Sequence, residues 1–410
     1  MNLDSVMTIR NLETTQPTPF ASLRVAIVQH WFVANRGGAE RVVDALAELF
    51  PQADIVSPII RRQDLSPTIK DRRLVTSFLE KFPAVHRYHR HTLFLQPMAI
   101  ELFDMSKYDL VLTSDAGPAK GVLTPPGTVH ICYCHTPMRY IWDMYNQYLT
   151  EMSPAVRVFF SLGAPLMRMW DFTAAARVDH FVSNSQFVAA RIRKYYRRES
   201  TLIYPPVDVQ RAYLSNNHQD YYLSVGRLVP YKRFDLAIQV CTQLGRPLRV
   251  IGDGPEYKSL RRMAGPTVTF LGNIADQEVR DNYAECRALI FPCEEDFGIV
   301  PVEANAHGRP VIAYGVGGAL ETMRGLGAMG EGDEDAPPTG LFFKEQTTAS
   351  LMQAILDFES RSQEFIPERL REHAMTFDTS VFKERFVKFT LQALSENSAR
   401  RLARGNSGDV

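Results

Sequence analysis

Two glutamates, Glu295 and Glu303, stand in the run EEDFGIVPVE with seven residues between them. The run follows an apolar, strand-like segment, ALIFPC, and passes into a helical pattern, so Glu295 falls in the loop beyond a strand and Glu303 about two helical turns further on. Both carboxylates can accept hydrogen bonds from a polyhydroxylated ligand, or merely complement the dipole of a helix start. Their neighbours Glu294 and Asp296 read instead as acids that complement the dipole of a helix start. A second cluster, GRLVPYKR, puts Arg227, Lys232 and Arg233 within seven residues after another strand. An arginine grips two phosphate oxygens and a lysine acts as a point charge, so the segment suits a phosphate better than it suits a merely solvated basic loop.

Gly37-Gly38-Ala39-Glu40 lies between the first strand and its helix. Paired glycines let the backbone approach a ligand and leave N–H groups at a positive helix end. The pair falls short of G-x-G-x-x-G, and a plain tight turn accounts for it equally well. His135 ends the strand TVHICYC, and Pro137 after it restricts the backbone. A lone histidine is more often structural than catalytic, but this one stands at a strand end, over the cleft where a ligand is expected. Asp333-Glu334-Asp335 contains a D-x-D pattern, yet its Gly/Pro-rich acidic surroundings read as a solvated loop. Asp296-Phe297-Gly298 echoes a kinase triplet without the accompanying H-R-D and lysine motifs and is set aside.

The elements that must position these residues follow from hydrophobic period. RVAIVQ reads as a strand, followed by a loop and a helix whose Val42, Val43, Leu46 and Leu49 share a face. YDLVLTS (108–114), TVHICYC (128–134) and DHFVSNS (179–185) read as further parallel strands with longer crossovers. The second half repeats the grammar in five short strand-helix units, from YYLSVG to GALETM, which predicts a doubly wound parallel sheet. TGLFF (339–343) and two helical patterns close the chain. The α/β fold class, two Rossmann-like domains with a cleft between them, is therefore expected. The boundaries read as a disordered N-terminal extension (1–22), a first domain (23–205), a second domain (206–378), a terminal helix (379–396) packing back on the first domain, and a frayed or disordered tail (397–410).

A chain of 410 residues at about 150 per domain fits two to three domains. With 45% hydrophobic and 22% charged residues, it is excluded from the collagen-like, disordered and disulfide-scaffold classes. Charge cancels overall, 46 basic against 46 acidic, but residues 1–200 carry 23 against 18 and residues 201–410 carry 23 against 28. Neither half has the basic excess of a nucleic-acid binder. Five cysteines without metal spacing read as reduced and buried. The first 22 residues lack a signal-peptide pattern and no stretch is apolar enough to span a bilayer, so a cytoplasmic location is expected. Two segments mix cations with aromatic residues, 85–103 (VHRYHRHTLFLQPMAIELF) and 190–199 (ARIRKYYRRE). They suit either an anionic bilayer surface or amphipathic helices packed on their own domain.

GRLVPYKR, VIGDGPE, FLGN, EEDFGIVPVE and AYGVGGALET, in this order and spacing, resemble the retaining glycosyltransferases of family 4, which have the GT-B fold. The match is continuous over about residues 221–345, and RGGAE and CHTP extend it to most of the chain. CHTPMRYIWDMYNQYL, NSQFVAARIRKYYRRE and YPPVD are similar to a bacterial branch that builds polysaccharide and O-antigen units, mannosyltransferases among them.

The resemblance implies that Arg227 and Lys232 hold the donor diphosphate, with the Gly37 and Gly38 backbone nearby. Glu295 would bond the donor hexose hydroxyls and Glu303 the ribose hydroxyls. Phe297, Gly298, Ile299 and Val300 would line the donor, and Gly272 and Asn273 of FLGN would mark where the base is read. His135 would lie beside the transferred sugar, and Gly317 to Thr322 would approach sugar and phosphate through backbone amides. On this basis His135, Glu295, Arg227 and Lys232 are the expected catalytic residues. No metal or other cofactor is expected, since cations and helix ends neutralise the leaving diphosphate. The donor would be a nucleoside diphosphate sugar, GDP-mannose on the branch alone, with UDP-sugars open. The acceptor would be a lipid-linked or polysaccharide glycan, met by a cytoplasmic enzyme held peripherally at the inner face of the membrane. A sugar-nucleotide epimerase and a non-catalytic nucleotide-sugar-binding partner remain the alternatives.

Overall fold

Short runs of buried apolar residues form the strands. In the first half these are β1 (Val25–Gln29), β2 (Asp54–Val56), β3 (Leu74–Val75), β4 (Leu110–Asp115), β5 (Val129–Cys134), β6 (His180–Ser183) and β7 (Thr201–Leu202). They make one seven-stranded sheet in the order β3-β2-β1-β4-β5-β6-β7. β1, β4 and β5 are buried along their whole length, as strands covered on both faces must be. The computed structural model describes residues 19–33, 37–326 and 336–405. The D-x-D acids, Asp333 to Asp335, and residues 1–18 of the N-terminal extension lie outside them. Phe20, within that extension, is buried against Phe50, with ring centroids 4.8 Å apart.

The second half holds β8 (Tyr222–Val225), β9 (Leu248–Ile251), β10 (Val268–Gly272), β11 (Ala288–Phe291), β12 (Val311–Tyr314) and β13 (Gly340–Phe343). Their order is β10-β9-β8-β11-β12-β13, all parallel. Alternate residues of each strand point to opposite faces. Tyr222, Leu248, Val250, Ile290 and Ile312 pack under the helices Phe234–Leu244 and Thr348–Arg361. On the other face Leu223, Leu289, Phe291 and Val311 meet Tyr283 and Ala304 of the helices Asp276–Glu285 and Ile299–Ala306. Helices on both faces make this the doubly wound sheet expected from sequence.

The described chain divides into two compact units. One comprises the chain up to Tyr133 with Met138–Phe181 and the end from Phe389; the other comprises Cys134–Pro137 and Val182–Lys388. Several features were not legible in the hydrophobic period. β2, β3 and β7 are only two or three residues long. A 23-residue helix, Pro154–Ala176, lies where the hydrophobic period predicts no distinct element. Segment 85–103 breaks into the short helices Val85–Tyr88 and Gln96–Glu101 around a 3₁₀ stretch, His89–Leu95. The last helix, Thr379–Gly405, continues through most of the stretch read as a frayed tail, because its Ala, Arg and Leu residues favour helix without an apolar face. Among the described residues no helix is long and apolar enough to cross a membrane. All five cysteines are buried, and none forms a disulfide among the described residues.

Candidate functional site

In a doubly wound sheet, ligands bind at the carboxyl ends of the strands where the strand order reverses. In the second sheet that point lies between β8 and β11, which pair through Tyr222–Ala288 and Leu223–Leu289. The loop beyond β8 carries Arg227 and Lys232, and the loop beyond β11 carries Glu295. The structure brings two of these together: Lys232 Nζ lies 2.8 Å from Glu295 Oε1, both side chains mostly buried. Burial works against the charge on Lys232, but the Glu295 carboxylate, with Cys293 and Tyr231 beside it, offsets this and holds the ammonium's pKa above its ordinary value. Gly226 makes room for this, for its φ is +145° and a Cβ there would stand 2.9 Å from the Lys232 ammonium. Arg227 is exposed and makes no ion pair among the described residues. Arg233, counted with it in sequence, is paired with Asp235 at 3.0 Å.

The Glu295 loop is held from behind by the glycine segment. Gly318 donates its N–H to the Glu295 carbonyl at 2.8 Å, and Glu295 and Gly317 form an isolated parallel bridge. A Cβ on Gly318 would stand 2.3 Å from the Phe297 carbonyl oxygen. The Gly318 amide is therefore spent on the chain itself rather than left for a ligand. Glu321, in the same segment, accepts hydrogen bonds from the Gln186 and Phe187 amides at 2.7 and 3.0 Å, and so caps the helix Gln186–Tyr196.

Arg191, on that helix, is the residue whose role sequence alone did not reveal. Its guanidinium is buried, ion-pairs with Asp296, and lies 3.6 Å from Glu294. It also donates to Thr136 Oγ1 at 3.4 Å and stacks 4.4 Å over the Phe187 ring. Glu294 and Asp296 thus do more than complement a helix dipole; they tie the acidic loop to the CHTP segment. The CHTP backbone is fixed further by Asn184, whose Nδ2 donates to the His135 carbonyl at 3.0 Å. Desolvation pushes the His135 imidazole down to a pKa of about 4, so the ring is neutral at physiological pH.

Glu303 accepts a hydrogen bond from the Tyr283 hydroxyl at 3.0 Å, and its backbone carbonyl meets His307 Nδ1 at 2.8 Å. The side chain of Phe297 is not available to line a donor: it is buried between Tyr204 and Phe377, with ring centroids 5.5 and 5.7 Å away. Ile299 and Val300 pack into the two clusters either side of their helix. What this turn can offer a ligand is backbone, since Gly298, at φ +87°, precedes the helix with no side-chain cap for its first amides. Gly272 ends β10 at φ +69°, and Asn273 after it is exposed. In the first unit, Gly37 donates its N–H to its own chain's Glu40 at 2.9 Å, so a carboxylate already sits at that helix start.

Chemically, the second unit offers a buried ammonium beside a carboxylate, an exposed arginine on the same loop, and uncapped helix amides. Residues 208–375 match the family model Glycosyl transferases group 1, and residues 36–211 match Glycosyltransferase Family 4. The chain is 25% identical over 229 residues to alpha-1,3/1,6-mannosyltransferase ALG2 of Mus musculus, which covers 47% of this chain and 52% of that protein. It is 34% identical over 118 residues to the GDP-mannose-dependent alpha-(1-6)-phosphatidylinositol monomannoside mannosyltransferase of Mycobacterium tuberculosis, over 24% of this chain and 31% of that one. The chain thus spans about half of the first relative and about a third of the second. The crystal structure of Anabaena HepE in complex with UDP has the same fold, with a TM-score of 0.64 at 16% identity over 90% of this chain and 100% of that one. With adjoining family models over most of its length and a GT-B pair of parallel-sheet domains, the chain belongs to glycosyltransferase family 4.

Proposed function

We propose that the protein is a retaining hexosyltransferase that moves mannose from GDP-mannose to a lipid-linked or polysaccharide acceptor in cell-surface glycan synthesis, at the cytoplasmic face of the membrane. The observation that carries this reading is the Lys232–Glu295 pair at the strand-order reversal of the second sheet. A diphosphate entering there competes with Glu295 for the Lys232 ammonium. That frees the carboxylate to accept hydrogen bonds from the hexose hydroxyls while Lys232 and Arg227 meet the phosphates. As the bond from the sugar's anomeric carbon to the phosphate oxygen breaks, negative charge grows on the diphosphate, and a fixed cation in a desolvated site stabilises it most at that stage. The acceptor oxygen forms its bond to the same carbon from the face the diphosphate leaves, and its proton passes to a phosphate oxygen. No protein nucleophile is required. His135, neutral, serves as a hydrogen-bonding group beside the sugar rather than as a cation.

Mannose is supported by the names of the two relatives, one of which specifies GDP-mannose. Thermal-shift measurements with GDP, UDP, ADP and their sugar conjugates test the donor, because a ligand that binds only the folded state raises the melting temperature. A rise with GDP and GDP-mannose alone is expected, with release of GDP when acceptor is supplied. A rise with UDP compounds alone would keep the site and discard mannose. No rise with any nucleotide in a folded sample would overturn the transferase reading in favour of a non-catalytic partner.

A further inference from the structure

Glu303 is the fifth residue of the helix Ile299–Ala306, beyond its first turn, so the helix dipole does not account for it. Of residues 301 to 306 it alone is not buried. Its Oε2 accepts the Tyr283 hydroxyl at 3.0 Å, donated from the adjacent helix Asp276–Glu285. An ionised carboxylate has about four lone-pair sites over its two oxygens, and the bond from Tyr283 uses a single one of them. Tyr283 itself is only 2% exposed. A hydroxyl at that depth needs a partner, and a satisfied core hydroxyl is one account of this bond.

The surroundings of the ring argue for more. His307 lies flat against Tyr283, with ring centroids 5.5 Å apart and planes 15° from parallel. Its Nδ1 meets the Glu303 backbone carbonyl at 2.8 Å, and since a carbonyl only accepts, that nitrogen carries the proton. Burial holds the His307 pKa below its ordinary value, which keeps the ring neutral and this bond in place. One residue thus fixes both ends of the contact, the plane of the Tyr283 ring by its face and the Glu303 backbone by its nitrogen. Tyr213 closes the group from the other side: its ring meets His307 edge-on at 5.8 Å, and its hydroxyl donates at 2.6 Å to Asp281, on the same helix as Tyr283. A glutamate side chain free to rotate loses rotamer entropy when it binds a ligand, whereas one already held in place does not.

We infer that Tyr283 is a positioning residue for the nucleotide's ribose: by holding the Glu303 carboxylate in one orientation, it sets that group to accept the two hydroxyls of the ribose diol. The inference rests on the nucleotide-sugar reading, in which Glu303 meets the ribose, but not on which base or hexose the donor carries. The test is calorimetric titration of the full chain with the nucleoside diphosphate it binds, GDP or UDP, and with the dideoxy form of the same nucleotide, which lacks both ribose hydroxyls. The wild type should bind the full nucleotide about tenfold or more tighter than the dideoxy form. Tyr283→Phe removes one oxygen and should cut that preference about threefold or more, while binding the dideoxy form as the wild type does. In Glu303→Ala the preference should be gone, and adding Tyr283→Phe should change nothing further. Should Tyr283→Phe melt early, the titrations are run below its transition, where binding of the dideoxy form shows the site intact. An equal loss of both ligands would make Tyr283 a merely structural hydroxyl and overturn the inference, as would an unaltered preference or a wild type without one; each of these leaves the transferase reading standing. A folded wild type that binds no nucleoside diphosphate would overturn both.

Discussion

Lys232 Nζ lies 2.8 Å from Glu295 Oε1, joining the loops that leave two neighbouring strands of the second sheet. Without the carboxylate the ammonium would bear the cost of burial alone; without the ammonium the carboxylate would. The pair therefore holds its two loops together; in the proposed reaction it would give way to the donor diphosphate and leave a fixed cation of the kind that electrostatic catalysis needs.

Glu295→Ala should cut turnover by about 100-fold or more, since it removes the acceptor proposed for the sugar hydroxyls and frees Lys232 to move. Glu295→Gln, which keeps the shape and loses the charge, should retain more of the fold's thermal stability than of its turnover. Steady-state kinetics with melting curves separate the two effects. Near-normal transfer by Glu295→Ala would remove Glu295 from the site.

Arg191→Ala leaves Asp296 and Glu294 without their buried counter-ion and opens the contact to Thr136. Breaking such a pair costs about 2 to 3 kcal/mol. Denaturant unfolding should show that loss, with Arg191→Lys recovering part of it, because a lysine cannot reach Thr136 and two carboxylates in one plane. An unfolding midpoint equal to the wild type's would show the pair to be energetically idle.

Gly318→Ala tests the support behind Glu295. Its Cβ would meet the Phe297 carbonyl oxygen at 2.3 Å, and backbone cannot yield as a flexible side chain does. A loss of about 1 to 3 kcal/mol is expected, together with weaker donor binding from a displaced Glu295 loop. Unaltered stability and affinity would mean that the segment tolerates a side chain.

His135 gives stability a pH dependence with a defined sign. Its pKa is lowered to about 4 by desolvation, from an ordinary 6.5 in the unfolded chain. Between those values the unfolded state binds more protons than the native one, so stability rises with pH across the window. The contribution is complete above about pH 6.5 and is lost as pH falls toward 4. His135→Asn should flatten the melting temperature over this range relative to wild type; an unchanged slope would place its origin elsewhere.

The five strand-helix units of the second half could be read from sequence because each buried strand is a short apolar run, such as Ala288–Phe291, closed by breaker residues a few positions away. That Lys232 and Glu295 stand at the same end of this sheet was also legible, since each follows such a run, although their ion pair was not. Arg191 was not, because its partner Asp296 is 105 residues distant and nothing near Arg191 distinguishes it from the other cations of ARIRKYYRRE. The packing of Phe297 was hidden for a related reason: Tyr204 and Phe377, which enclose its ring, are remote in sequence. The helix Pro154–Ala176 leaves no clear period in the sequence because residues on both its faces are apolar.

The central claim, that Lys232 receives the diphosphate of a nucleotide sugar, is tested most directly by calorimetric titration of GDP-mannose and GDP into wild type and Lys232→Ala. Loss of one charge-assisted contact to phosphate should weaken both ligands by about 10- to 100-fold in the variant. Mannose itself should bind neither protein measurably. Equal affinities in the two proteins, or no binding of any nucleotide to the folded wild type, would contradict the account.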